Sequence, residues 1–265
     1  MSKVEQYREQ LRRLKDWRPF LLKKSGLPGP RGNLELAQAV AEEANLKQIE
    51  TFLSVPIEKA PENSSHVFLV FCGVAALGKR VADGDRAQLR RLRQYAGDSR
   101  WRVREAVAVA LQYFGDADMG GLLAEMRQWS RGTWYEKRAA AAAVAEPRLL
   151  KRPDVARAAL KMMDDITATI EVAKDSDSDA FHTLRQSMGY CWSVAVAAAP
   201  EAGKPFMEKW LGSTNADVTW VMGQNLTKNR LTKMDAAWVR GALARLDSGR
   251  PDSATTRRGV RRRGS

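Results

Sequence analysis

The chain contains few of the residues that build disulfide frameworks or metal centres. Its 265 residues include two cysteines, Cys72 and Cys191, and two histidines, His66 and His182. Neither cysteine has a second cysteine near it, and neither histidine has a partner at the spacing of metal ligands. This pattern excludes a disulfide framework and a thiolate zinc site, and it indicates a reducing compartment. We therefore expect a cytoplasmic protein with no metal ion and no cofactor.

Long apolar runs and the short motifs of known catalytic sites are also missing. No run of residues approaches the length of a membrane span, and residues 1–17 are charged throughout, unlike a signal peptide. The chain has no HExxH, CxxC or GxSxG motif, and the glycine- and proline-rich segment 25–32 lacks the pattern of a phosphate-binding loop. We interpret segment 25–32 as a structural connector, and we expect no catalytic residue.

An acidic stretch, DSDSD over residues 175–179, resembles the start of a calcium-binding loop. Such a loop requires glycine at its sixth position and glutamate at its twelfth, where this chain has Ala180 and Gln186. Aspartate is also a preferred residue before the first turn of a helix. The stretch is therefore interpreted as a solvated loop that caps the following helix, which leaves no metal site in the sequence.

Positive charge is the strongest compositional feature. The formal net charge is +13 and the isoelectric point is about 10.0, which favours polyanionic partners such as nucleic acid, an anionic membrane surface or an acidic protein. Residues 250–265 contain six arginines and one aspartate, so +5 of this charge lies at the C-terminal end. We expect an N-terminal helix and connector at 1–32, a repeat domain at 33–248 and a basic disordered tail at 249–265.

The most regular stretch is DSRWRVREAVAVALQYFG, from Asp98 to Gly115. Apolar residues recur in it at three- and four-residue steps, which places them on one face of a helix. Asp98 is expected to cap the start of this helix, and Gly115 is expected to end it. The residues expected in the interior are Trp101, Val103, Val107 and Phe114.

Amphipathic patterns also predict helices upstream of this stretch. Residues 4–24 are expected to form a helix that Pro19 kinks or divides into two pieces. A helix capped by Asn33 and another that begins near Lys47 are predicted next. The apolar run Val67–Leu77 is interpreted as a buried helix rather than a strand, because alanines and a following glycine accompany it.

Similar short segments recur along the chain and predict a repeat architecture. They begin at Cys72, Ala106, Ala139, Ser193 and Asn225, at steps of 34, 33, 54 and 32 residues. Three of these steps suit a repeated pair of helices, and the long one carries an insertion that includes the acidic stretch 175–179. We therefore predict an all-α fold, a curved right-handed solenoid of about five helix pairs with one concave face.

Basic and aromatic residues accompany the repeats and form the candidate binding surface. Arginine and lysine at matching phases of successive repeats would line one face of a solenoid and follow a phosphate backbone, while exposed tryptophans stack on bases. The candidate nucleic-acid-binding residues are Arg90, Arg91, Arg93, Arg100, Arg102, Arg104, Trp101, Trp134, Lys137, Arg138, Arg185, Lys228 and Arg230. The alternative is structural: such tryptophans commonly pack between helices, and Arg104 would pair with Asp98 or a neighbour.

Asp98, Val103 and Arg104 match the signature of HEAT repeats, in which the aspartate and arginine commonly pair from one repeat to the next. Together with RWRVREAVAVALQ, the segments LPGPRGNLELAQAVA, GYCWSVAVAAAP and WVMGQNLTKNRL resemble a family of largely uncharacterised bacterial HEAT-repeat proteins. The resemblance covers most of residues 67–240 and implies the fold. It does not imply a function, because function depends on sites rather than on folds.

HEAT-like alkylpurine DNA glycosylases are a distantly similar group. Those enzymes hold DNA on a basic concave face with tryptophans, an arginine in a Trp-x-x-Arg motif and a catalytic aspartate. Trp101 and Arg104 match the motif, whereas the preceding repeat has only Cys72 and apolar residues where the aspartate is expected. The alternative to a binding module is therefore a glycosylase whose aspartate lies elsewhere, at Asp98 or Asp217.

The sequence thus favours a non-catalytic HEAT-like module whose basic face binds nucleic acid, with DNA preferred over RNA, or an acidic protein. It leaves the oligomeric state open. The two functions differ in one structural feature, because a glycosylase requires a carboxylate beside an exposed tryptophan and room for one nucleotide. A binding module requires only exposed cations and rings.

Overall fold

The computed structural model describes residues 1–248, and over this range the protein consists of fifteen α-helices and no β-strand. The expectation of an all-α fold is therefore confirmed, whereas the basic tail expected at 249–265 lies outside the described residues. The first eight helices are α1 (Lys3–Arg12), α2 (Arg18–Lys24), α3 (Leu34–Glu43), α4 (Leu46–Leu53), α5 (Val67–Ala82), α6 (Gln88–Tyr95), α7 (Trp101–Ala117) and α8 (Met119–Trp129). The others are α9 (Trp134–Val144), α10 (Pro153–Glu171), α11 (Asp179–Ala198), α12 (Pro200–Glu208), α13 (Ala216–Leu226), α14 (Asn229–Met234) and α15 (Ala236–Ser248).

Alternate helices of the chain pack against each other in order. Helix α1 contacts α3, α3 contacts α5, and the series continues through α7, α9, α11 and α13. The helices between them pack on this row: α4 on α5, α6 on α5 and α7, α8 on α7 and α9, and α10 on α9 and α11. Four of the five similar segments lie in α5, α7, α9 and α11, and the fifth begins at the end of α13, so their recurrence follows successive members of the row.

The N-terminal helices and the acidic loop follow their local sequence. Residues 4–24 form two helices, as expected, and Pro19 lies in the first turn of α2, where its missing N–H costs nothing. Asn33 caps α3 by accepting a backbone N–H with its side chain. The acidic loop also precedes a helix, but the residue that caps α11 is Ser178. Asp175 instead accepts a hydrogen bond from Trp134 Nε1 at 2.7 Å.

Helices α5 and α7 make the most extensive contact of the row. The apolar run Val67–Leu77 lies within α5 and is buried, so its interpretation as a buried helix is confirmed. Gly78 lies against the main chain of Ala110 in α7, and a Cβ atom at Gly78 would lie 2.3 Å from Ala110 Cα. The absence of a side chain at Gly78 therefore allows the two helix backbones to approach each other.

Helix α7 differs from the expected helix at both ends. It begins after Arg100 rather than after Asp98, because the Asp98 carboxylate is occupied by the guanidinium and the backbone N–H of Arg100, at distances from 2.7 to 2.9 Å. Gly115 does not end the helix, which continues to Ala117. Gly115 is buried, and a Cβ atom there would approach Leu122 Cδ2 to 2.7 Å, so this position requires a small residue for packing.

The expected interior of α7 is confirmed at three of its four positions. The three buried residues, each at most 2% exposed, are Val103, Val107 and Phe114. The expected burial of Trp101 is wrong, because this side chain is 41% exposed. Arg102 takes the buried position instead, where its guanidinium donates a hydrogen bond to the carbonyl oxygen of Gly29 at 2.8 Å.

A buried polar contact joins α11 to α13. The side-chain oxygen of Asn225 accepts a hydrogen bond from the backbone N–H of Ser193 at 2.8 Å. The side-chain nitrogen of Asn225 donates to the carbonyl oxygens of Met188 and Val221, each at 2.7 Å. Asn225 is fully buried, and these bonds satisfy its side chain within the protein.

Candidate functional site

A recess of about 500 Å³ lies between α7, α9 and α11, and we call it the α9 groove. Helix α9 contacts both neighbours, and the small residues Ala142 in the helix and Ala145 directly after it line the recess. Helix α9 is also the shortest of the three, with 11 residues against 17 in α7 and 20 in α11. The short, alanine-rich sequence of α9 thus leaves the space between its longer neighbours unfilled.

Two exposed aromatic side chains line the α9 groove. Trp101, at the start of α7, is 41% exposed, and Tyr190, on α11, is 46% exposed. The guanidinium carbon of Arg102 lies 3.7 Å from the ring centroid of Trp101. The guanidinium carbon of Arg230 lies 4.7 Å from the ring centroid of Tyr190, and Arg230 also donates a hydrogen bond to the Tyr190 hydroxyl. These cation–π contacts orient both rings and leave part of each ring exposed.

Arg104 and Arg138 contribute positive charge to the α9 groove. Arg104 Nη1 donates to the carbonyl oxygens of Asp98 and Ser99, at 2.6 and 2.8 Å. Arg138 Nη1 donates to the carbonyl oxygen of Arg104 at 2.7 Å, and burial lowers the pKa of Arg138 from its ordinary value. Within residues 1–248, neither guanidinium forms an ion pair with a carboxylate. The expected contact of Arg104 with Asp98 uses the carbonyl oxygen, because Arg100 occupies the Asp98 carboxylate.

Two carboxylates line the α9 groove. Glu105 lies one helical turn beyond Trp101 on α7, so the two side chains are neighbours, and Arg102 Nη1 donates to the Glu105 carboxylate at 3.1 Å. The other carboxylate, Glu146, forms an ion pair with Arg148 at 3.2 Å. Sequence reasoning missed Glu105, although its spacing of four residues from Trp101 was an available signal.

The carboxylates that the sequence offered for catalysis lie outside the groove. The Asp98 carboxylate is occupied before the first turn of α7. Asp217 forms an ion pair with Arg185 at 2.7 Å, and the guanidinium carbon of Arg185 lies 4.0 Å from the ring centroid of Trp220. Glu62 lies behind the start of α7, and burial raises its pKa above the ordinary value. None of these three acids lines the α9 groove, and of the two carboxylates that do, Glu105 lies nearer to the exposed Trp101 along the chain.

Several of the predicted binding residues form ion pairs with carboxylates of other helices. Arg91 pairs with Glu50 at 2.7 Å, and Arg93 pairs with Glu136 at 2.6 Å. Arg100 is buried with its aspartate partner. Ion pairs at a surface contribute little to stability, but they reduce the positive field that these arginines offer to a polyanion.

The remaining predicted residues lie on different surfaces. Trp134 is half-buried, and its ring packs edge-on against Phe181 at a centroid distance of 5.4 Å, in agreement with the structural alternative. Lys137 is buried and lines a separate cleft between α8 and α10. Arg90 is exposed and Lys228 is half-buried, and both lie outside the α9 groove.

Only some of the predicted basic and aromatic residues thus lie together at one site. The predicted residues that meet at the α9 groove are Trp101, Arg104 and Arg138, with Arg102 and Arg230 supporting its two rings. Tyr190 and Glu105 complete this arrangement and were not predicted. The groove therefore offers exposed rings and cations without carboxylate partners, while its two carboxylates are paired with other arginines, which is chemistry suited to a planar, anionic ligand.

Comparison of the chain with protein-family models, with curated proteins and with solved structures finds no match. Among residues 1–248, no helix is long and apolar enough to cross a membrane. In the same range, no group of three or more His, Cys, Asp or Glu side chains is arranged to hold a metal ion. The geometry of the α9 groove is therefore the basis on which a function is assigned.

Proposed function

We propose that the protein is a curved, right-handed solenoid of HEAT-like helix pairs that binds nucleic acid in the α9 groove. The ordered contacts from α1 to α13 support the solenoid, because helix-pair repeats contact chiefly their neighbours in the sequence. The observation that carries the function is the pair of exposed rings, Trp101 and Tyr190, beside two arginines without carboxylate partners.

Each feature of the α9 groove matches a part of a nucleotide. A base that stacks on an aromatic ring gains about 1–3 kcal/mol, whichever base it is. Guanidinium groups bind phosphate oxygens through strong, charge-assisted hydrogen bonds. A volume of about 500 Å³ accommodates a single base with its sugar. The sequence contains no base-reading motif, so binding is expected to be driven by charge and stacking.

Fluorescence anisotropy with labelled single-stranded DNA, duplex DNA and RNA over a range of salt concentrations tests this proposal. We expect binding that weakens with salt, with roughly −0.9 added to the logarithmic slope for each phosphate contact on duplex DNA. Arg104→Gln removes one such contact and should weaken binding and flatten the slope. Arg157→Gln is the matched control, because Arg157 is exposed on α10 and lies outside the groove.

Substitution of Trp101 separates stacking from charge. Trp101→Ala should weaken binding to single strands by about 5- to 150-fold, which corresponds to the loss of one stacked base. Trp101→Phe keeps an aromatic ring and should retain much of the affinity. A parent protein that ignores DNA and RNA at low salt would contradict the proposal, and binding of polyglutamate in its place would identify an acidic protein as the partner.

A second function, excision of alkylated bases, has one observation in its favour. Glu105 supplies a carboxylate beside the exposed Trp101, in a recess with room for a nucleotide. Cleavage of a glycosidic bond builds positive charge on the sugar, and a nearby carboxylate stabilises that charge. The ion pair between Arg102 and Glu105 at 3.1 Å opposes this function, because it partly neutralises the carboxylate. We therefore favour a non-catalytic binding module.

Release of 3-methyladenine or 7-methylguanine from methylated DNA decides between the two functions. We expect no release from the purified protein. Release that disappears in Glu105→Gln would establish the glycosylase and assign its carboxylate. Glu146→Gln is the matched control, because it alters the other carboxylate of the same groove.

A further inference from the structure

A second basic surface lies against a different face of α9. A cleft of about 720 Å³ separates α8 from α10, and we call it the α8–α10 cleft. Lys137 lines this cleft, whereas the next residue, Arg138, lines the α9 groove. Consecutive residues of a helix point in directions about 100° apart, so α9 presents one cation to each surface. The α8–α10 cleft is therefore separate from the site described above.

The cations of this cleft outnumber its carboxylates. Arg127, Arg131, Lys137 and Lys161 line it, together with the single carboxylate of Asp165. Lys161 and Asp165 form an ion pair one helical turn apart, so these two charges compensate each other. Arg127 and Arg131 are exposed, and within residues 1–248 neither forms an ion pair with a carboxylate. Three cations of the cleft, Arg127, Arg131 and Lys137, thus form no ion pair with a described carboxylate.

Lys137 is the most informative of these cations, because it is only 8% exposed. Its ammonium group donates to the carbonyl oxygen of Gly132 at 2.6 Å and lies 4.8 Å from the ring centroid of Trp134. Within the described residues it forms no ion pair: the two nearby acids, Glu136 and Asp175, are bound to Arg93 and to Trp134, although both attract the ammonium charge and raise its pKa. Burial lowers the pKa of Lys137 from its ordinary value, which is the sign of a charge that the protein desolvates.

A buried ammonium group that forms no direct ion pair is costly, and an anion that reached it would reduce that cost. Two exposed arginines on the same cleft add planar, multidentate donors, which bind phosphate groups particularly well. The volume of the cleft exceeds that needed for a single small anion. We propose that the α8–α10 cleft binds a chain of phosphate groups, with Lys137 at its inner side and Arg127 and Arg131 at its opening.

Isothermal titration of the full chain with sodium tripolyphosphate at low ionic strength tests the cleft directly. We expect saturable binding that is about tenfold weaker in each of Arg127→Gln and Arg131→Gln, since each substitution removes charge-assisted hydrogen bonds. Lys137→Met should weaken binding by a similar factor without loss of helical signal in circular dichroism. Arg157→Gln, on the same helix α10 but outside the cleft, should bind as the parent does.

The same variants distinguish a free oligophosphate from the backbone of a nucleic acid. If Arg127→Gln also weakens binding of duplex DNA and tripolyphosphate competes with that DNA, the phosphates are those of the strand. If DNA binding is unchanged in Arg127→Gln, the ligand is a free oligophosphate. Tripolyphosphate that fails to saturate, or that binds Arg127→Gln as well as Arg157→Gln, would overturn the proposal. If the nucleic-acid proposal for the α9 groove is wrong and the proposal for the cleft is right, the parent protein will bind tripolyphosphate but not DNA.

Discussion

The contact between α5 and α7 can be tested by adding a single methyl group. A Cβ atom at Gly78 would lie 2.3 Å from both Cα and O of Ala110, and 2.5 Å from its carbonyl carbon. All three atoms belong to the main chain of α7, so no flexible side chain can move aside. Gly78→Ala should therefore separate two helices at the most extensive contact of the row.

A matched glycine isolates the cost of this separation. Gly241 lies inside α15, and a Cβ atom there would meet nothing within 4 Å. Both substitutions gain about 0.5–1 kcal/mol from the better helix propensity of alanine, so this gain cancels in a comparison of the two. Overpacking typically costs about 1–3 kcal/mol, and contact with main-chain atoms places Gly78→Ala at the upper end. We expect Gly78→Ala to be less stable than Gly241→Ala by about 3 kcal/mol.

Urea unfolding followed by far-ultraviolet circular dichroism measures this difference. Gly241→Ala should unfold at a slightly higher urea concentration than the parent, and Gly78→Ala at a clearly lower one, with similar slopes. In a thermal scan, a difference of that size corresponds to about 6–12 °C in the melting temperature of a chain of this length. If Gly78→Ala were as stable as Gly241→Ala, the close approach of α5 to α7 would be refuted.

Three further predictions follow from buried and paired groups. Val107→Asp places a charge at a fully buried position of α7 and should lower the free energy of unfolding by about 3 kcal/mol or more. A melting temperature equal to that of the parent would contradict the burial of Val107 in α7. Arg93 holds the pKa of Glu136 below its ordinary value. The pair therefore stabilises the protein at pH values above the ordinary pKa, and this stabilisation is lost as the pH falls through the lowered pKa. Glu136→Gln should therefore lower the free energy of unfolding at neutral pH, and the variant should lose less stability than the parent when the pH is lowered. Burial raises the thiol pKa of Cys72 and Cys191, so Ellman's reagent should react with neither in the native protein and with both after unfolding.

The helical row was predictable because its signal is local. Apolar residues at three- and four-residue steps identify α7, and the recurrence of similar segments identifies its equivalents in α5, α9, α11 and α13. The ends of α7 were not predictable in the same way. Asp98 has the properties of a capping residue, but the guanidinium of Arg100 competes for its carboxylate. Gly115 has the properties of a helix end, but it is required for contact with Leu122.

The exposure of Trp101 shows why the candidate site was only partly predictable. Sequence patterns favour burial of the tryptophan over burial of the neighbouring Arg102. Arg102 is buried because Gly29, which lies 73 residues earlier, offers it a carbonyl oxygen, and no local pattern reveals that partner. Tyr190 reaches the same groove only because α9, between α7 and α11, is short and rich in alanine. Contacts between distant segments therefore decide which rings are exposed.

Net charge was a similarly incomplete guide to the binding surface. The chain has many more cations than carboxylates, but composition does not show which of them are paired. Arg91 and Arg93 are neighbours in sequence, and both are bound to glutamates from other helices. Arg104 and Arg138 donate their hydrogen bonds to main-chain oxygens and form no ion pair with a carboxylate among the described residues. The difference between a compensated and an available arginine is thus a property of the folded chain alone.

The buried contact of Asn225 has a mechanical consequence. Arrays of helix pairs bend when neighbouring helices slide slightly against each other, but α13 cannot slide along α11 without breaking the two hydrogen bonds by which the buried Asn225 side chain holds α11. A buried amide oxygen left without a donor costs about 1–3 kcal/mol, so this joint should behave as a rigid one. Tyr190 lies between Met188 and Ser193, the two residues of α11 that Asn225 holds. Any flexing that widens or narrows the α9 groove should therefore arise from movement of α7 and α9 against a fixed Tyr190.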